Sequence, residues 1–167
     1  IAAIRGVGLD VSAVAAALGL EPRGHQASFE SATSSGARDC CLAQQGEWVV
    51  AANVMNWYWL IEDHGDYLRG LAAELPRAEI FFFLLEGTSS SYVFGAARDG
   101  AVFRETVVTE GERVVDEGVP TSWESVATSN GESLEEDGEG FVLGLLAAIV
   151  APFEELDAVP FATYSLP

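Results

Sequence analysis

Apolar and polar positions alternate with two different periods along this chain. Residues 1–7 (Ile-Ala-Ala-Ile-Arg-Gly-Val) read as a short first strand. Asp10 then stands where a helix N-cap belongs, and Val11, Val14, Ala15 and Leu18 follow at helical spacing before Gly19. Residues 23–38 are rich in Ser, Gly and Ala and read as a long loop with a short strand around Phe29. Trp48, Val49 and Val50 predict a buried strand over 47–53, and 56–61 continue the sheet. Tyr67, Leu68, Leu71, Ala72 and Leu75 form one apolar stripe, so a helix is expected over 65–75, stopped by Pro76.

The run Ile80-Phe81-Phe82-Phe83-Leu84-Leu85 has no polar alternation and predicts a strand buried on both faces. Residues 92–97 and 101–108 flank Arg98-Asp99-Gly100, a hairpin signal because Asp-Gly tolerates positive φ at both turn positions. Tyr92, Phe94 and Ala96 should line one face and Val93, Gly95 and Ala97 the other. Residues 109–139 read as folded loops and an edge strand. An all-apolar helix follows at 141–150, opening on Phe141 and closing on Val150. A helix without a polar face is buried or covered by a partner. Residues 161–164 read as a final edge strand. This order predicts one α+β domain over 1–167: an antiparallel sheet of about five strands with helices packed mainly on one face.

Charge narrows the function. The 167 residues hold 26 acidic side chains against 8 basic ones, all arginine, for a net charge of −18. That disfavours nucleic-acid binding, which draws its affinity from Lys and Arg. No apolar run reaches the roughly 20 residues of a membrane-crossing helix, so no membrane role is expected. Cys40 and Cys41 are neighbours, too close for an unstrained disulfide, and read as reduced thiols of a cytoplasmic protein. The sequence shows no phosphate-binding glycine loop and no lysine to serve one, so no cofactor is expected.

Candidate chemistry is sparse. Glu62, Asp63, His64 and Asp66 are suitable ligand types for a divalent cation, but their spacing matches no metal loop; the plainer reading is an acidic helix start. Ser89, Ser90 and Ser91 follow Gly87 without the second glycine of a nucleophile elbow. A hydrolase or small-molecule pocket near Trp57, His64 and Ser89 to Ser91, with His64 or His25 as base and Asp99 as orienter, is therefore the alternative reading. Trp57, Tyr58 and Trp59 read first as core and second as anchors of a binding surface. Between 105 and 139 there are 11 acidic residues and one Arg. Glu110, Glu112, Asp116 and Glu117 in this stretch are candidate contacts for a basic protein. The apolar helix at 141–150 also allows self-association.

The Gly46-Glu47-Trp48 strand, the Leu-spaced helix at 68–75, the apolar strand at 80–85 and the Asp99-Gly100 hairpin leading into Val102-Phe103-Arg104 resemble small uncharacterised bacterial proteins of the immunity-protein type. Gly118-Val119-Pro120 with Trp123 is similar too. The resemblance covers residues 1–125. It implies a non-enzymatic binding role, immunity-type or regulatory, with no catalytic set. The acidic loops after Glu110 and the apolar helix have no counterpart in it.

Overall fold

A computed structural model describes residues 1–34, 39–53, 64–86, 88–129 and 133–165, with the side chains of 64–66 and 129 outside that description. The chain forms β1 (Ala2–Arg5), α1 (Val11–Ala17), β2 (Glu21–Ala27), α2 (Phe29–Thr33), β3 (Cys40–Gln45) and β4 (Trp48–Ala52). Next come α3 (His64–Glu74), β5 (Glu79–Glu86), β6 (Ser91–Arg98), β7 (Ala101–Thr109) and β8 (Glu112–Gly118). The last elements are α4 (Ser122–Ser129), α5 (Gly138–Ile149), α6 (Phe153–Asp157) and β9 (Phe161–Ser165). The strands make one sheet in the order β2-β9-β3-β4-β1-β5-β6-β7-β8, antiparallel throughout.

The α+β class is as expected, but the sheet has nine strands among the described residues where about five were expected. Cover is two-sided: α2, α4, α5 and α6 pack on one face, and α1 and α3 on the other. The central strands show why. Ile80, Phe82 and Leu84 of β5 enter one core while Phe81 and Phe83 enter the second. In β4, Val49 and Ala51 face one core and Trp48, Val50 and Ala52 the other. A strand buried on both sides loses its period-2 signal, and each face then needs its own helices. Residues 54–63, including the strand expected at 56–61, lie outside the described residues.

Several local rules hold. The Asp10 carboxylate accepts from the Ala13 N–H at 2.8 Å, and Gly19 leaves α1 at φ +65°. Asp99 and Gly100 sit at φ +54° and +75°, closing the β6–β7 hairpin. Phe94 and Ala96 enter one core and Val93 and Ala97 the other, as alternation requires. Several expectations fail. Residues 109–139, expected as loops and an edge strand, also hold the helix α4. Residues 21–27 are a strand, not loop, and Phe29 begins a helix whose N-cap is Ser28. β9 is not an edge: it lies between β2 and β3. By contrast, the apolar α5 is buried, one of the two outcomes expected of it: it packs against β5, β6 and α4, with Phe141, Val142, Leu145, Leu146 and Ile149 in the core. Its apolarity is thus accounted for within the chain.

A row of charges ties five strands at one end of the sheet. Arg5 donates from Nε to Glu79 at 2.7 Å and pairs with Glu47; Arg98 pairs with the other Glu79 oxygen. Arg5 also stacks over Trp48, 4.4 Å from the ring centroid, and Arg98 over Phe103 at 5.6 Å. Burial works to raise the Glu79 pKa, but the hydrogen bonds and charges of Arg98 and Arg5 outweigh it and hold the carboxyl below its ordinary 4.5. A folded pKa below the unfolded one means that this stabilisation is complete above pH 4.5 and is lost as pH falls through the lower folded value. Glu79→Gln should therefore cost about 1–3 kcal/mol at pH 7. Its deficit relative to the unaltered protein should shrink on acidification below pH 4.5, read by denaturant unfolding at stepped pH.

Candidate functional site

The acidic end of the sheet is built from β7, β8 and α4 around one buried cation. Arg104 on β7 is 2% exposed. Its Nε and Nη2 donate to Glu124 on α4 at 3.0 and 2.8 Å, and its Nη1 donates to Asp116 on β8 at 2.6 Å. Nη1 also reaches the Glu117 carbonyl at 3.0 Å. Burial alone would lower the Arg104 pKa, but Glu124 and Asp116 more than compensate and raise it. Asp116 is held below the usual carboxylate range by hydrogen bonds from Arg104 and Arg113. Arg113 continues the chain of pairs to Glu135 at 2.7 Å. Both arginines of this region are thus committed to carboxylates within the fold.

The local sequence explains the arrangement. Thr121 and Glu124 form a capping box at the start of α4: the Thr121 N–H donates to Glu124 Oε1 at 2.7 Å, and the Glu124 N–H donates to Thr121 Oγ1 at 3.4 Å. One carboxylate therefore caps the helix and clasps Arg104. Glu110 and Gly111 turn β7 into β8 at φ +53° and +79°. Gly118 sits at φ +82°, and a Cβ there would lie 2.0 Å from the Phe103 carbonyl oxygen. Neither the Thr-x-x-Glu box nor the Glu-Gly turn entered the sequence reading, although both signals are present in 109–124.

Of the expected contacts, Glu110, Glu112, Asp116 and Glu117 come together on the β7–β8 hairpin and are exposed. Asp116 is spoken for internally; Glu110, Glu112 and Glu117 have no ion pair among the described residues. The register places Glu112 opposite Thr109 and Glu117 opposite Glu105, on the side of the sheet that carries α3. A shallow open cleft of about 450 Å³ lies on that side, lined by Arg69, Val102, Phe103, Glu105 and Glu117. Trp57, Tyr58 and Trp59 lie outside the described residues, as do Glu62, Asp63 and the side chains of His64 and Asp66.

The serine turn is not arranged for catalysis with the groups that can be placed. Ser89 Oγ donates to Ser91 Oγ at 2.9 Å, and Ser91 Oγ approaches Thr109 Oγ1 at 3.4 Å, so the hydroxyls satisfy one another. Asp99 lies beyond the far end of β6, roughly 27 Å from Ser91 at strand rise. His25 is on β2, six strand spacings from β6, or roughly 29 Å. It faces Asp39 at 3.7 Å instead. Neither forms a catalytic set with the serines. Burial pushes the Cys40 thiol up to about 12 and Cys41 to about 11, so neither is a thiolate nucleophile at neutral pH. Among the described residues no cluster of His, Cys, Asp and Glu could hold a metal ion, and no helix is long and apolar enough to cross a membrane.

Comparison with protein-family models, with curated proteins and with solved structures finds no match to this chain.

Two substitutions test the construction of this end. Arg104→Met leaves Glu124 buried without its cation and should cost about 3–5 kcal/mol. The double variant Arg104→Met/Glu124→Gln should lose less than the two single changes added together, because the pair acts as a unit. Gly118→Ala should cost at least ~2 kcal/mol, since the chain there is left-handed and closed against Phe103. Chemical denaturation of the variants reads all of these.

Proposed function

We propose that this chain is a non-enzymatic, acidic binding domain of immunity or regulatory type that engages a basic protein partner. The single observation that carries the reading is the division of labour among charges at the β7–β8 end. Arg104 and Arg113 are consumed by Asp116, Glu124 and Glu135. Glu110, Glu112 and Glu117 face solvent without such compensation. A net charge of −18 sets the field of the whole molecule in the same sense. Surface charge of one sign works mainly by steering encounter and excluding partners of like charge, and both effects fade with salt.

The resemblance to immunity-type proteins points the same way, and beside this hairpin the hydroxyls of Ser89 and Ser91 bond to each other. Exposed carboxylates contribute only about 0.2–1 kcal/mol each to a contact, so several must act together. The triple variant Glu110→Gln/Glu112→Gln/Glu117→Gln removes three charges from an exposed hairpin and should leave stability within about 0.5 kcal/mol. Using the whole protein as bait in extract of its source cell, the expected result is a basic protein retained at low salt. It should associate on the order of tenfold more slowly with the triple variant. A partner captured equally by both proteins, or equally at low and high salt, overturns the proposal.

A further inference from the structure

We infer that the free edge of β8 accepts an extended basic segment of the partner protein as an added strand. The inference rests on the binding reading above and supplies its mode of docking. Among the described residues β8 pairs with β7 alone and ends the sheet. Between Val115 and Gly118 the pairing is regular, with Val115 opposite Val107 and Gly118 opposite Arg104. An end strand of this kind turns a row of backbone N–H and C=O groups outward, the template used in strand addition. Val114 and Val119, 61% and 80% exposed, flank this stretch and offer apolar contact to an arriving chain.

The opposite edge of the sheet is built differently. β2 carries Pro22, which lacks a donor, and its pairing with β9 breaks register between Pro22 and Gln26. β8 also shifts register once, between Arg113 and Val115, but it contains no proline, and residues 115–118 beyond the shift are held from behind, because Asp116 and the Glu117 carbonyl are both bound by Arg104. Charge then selects the occupant. Residues 110–118 hold four carboxylates and one guanidinium, and that guanidinium is paired with Asp116 and Glu135. A second copy of this edge would bring like charges face to face across the new ladder, which is destabilising. A strand with Lys or Arg on the side facing Glu112 and Glu117, and an apolar residue beside Val115, meets opposite charge and an apolar neighbour instead.

The test uses the intact protein and two synthetic peptides that carry lysine, valine and lysine in turn along one face and threonine along the other. One has an ordinary backbone; the other carries N-methyl groups on the amides of both edges, with the same charge. At low salt the ordinary peptide should bind and slow amide hydrogen exchange within 115–118 by at least ~tenfold, and the methylated one should not. Binding of the ordinary peptide should weaken in Glu112→Gln/Glu117→Gln. Equal binding of both peptides overturns strand addition while leaving the acidic-surface reading standing. Undiminished binding to the double glutamine variant overturns the charge selection. Binding of neither peptide to the folded protein overturns the inference, while the binding reading is decided separately by salt and the triple variant.

Discussion

Burying one guanidinium organises the acidic half of this molecule. Taking a charge out of water costs several kcal/mol, and Arg104 recovers that only because Glu124, Asp116 and the Glu117 carbonyl surround it. Those partners come from two elements, β8 and α4, so a single side chain fixes the end strand and the helix behind it. Glu124 also caps α4, which makes the start of that helix depend on the same carboxylate. In a chain with 26 acidic residues and 8 arginines, where each arginine goes decides which carboxylates still project negative charge. Here Arg104 goes inward and Arg113 is held by Asp116 and Glu135, while Glu110, Glu112 and Glu117 are left outward.

The sheet imposes a second constraint. Strands β1, β4 and β5 are apolar on both sides, so the protein carries two cores, and neither could close without its own helices. The charge row from Glu47 through Arg5 and Glu79 to Arg98 then terminates the sheet's end with cross-strand pairs. A wide sheet leaves two edges to manage. Proline and irregular pairing blunt β2; β8 shifts register once, between Arg113 and Val115, but beyond that shift residues 115–118 pair regularly and are guarded by charge, and that difference turns one edge into a candidate surface.

Much of the fold was legible where one residue type has one physical use. Asp10 as a cap, Asp99-Gly100 as a turn, the leucine stripe of α3 and the unbroken Phe run of β5 all stand where their chemistry demands. The failures have physical causes as well. β2 (Glu-Pro-Arg-Gly-His-Gln-Ala) has no apolar alternation because it lies exposed at the edge. The period of β8 is broken by a register shift between the residues opposite Val107 and Val108, so its alternation does not survive in sequence. That β9 is interior depends on β2 and β3, distant in sequence, which no local pattern encodes. The acidic residues of the site were legible as a group, but their sorting was not. Asp116 looks like Glu117 in sequence; only the fold shows that one is consumed by Arg104 and the other left outward.

A carboxyl NMR titration of Asp116, in the unaltered protein and in Arg104→Met, tests this sorting of charges most directly. The account predicts that Asp116 titrates below its ordinary 3.8 and moves back toward it when Arg104 is replaced. An Asp116 that titrates at its ordinary value in both proteins would contradict it.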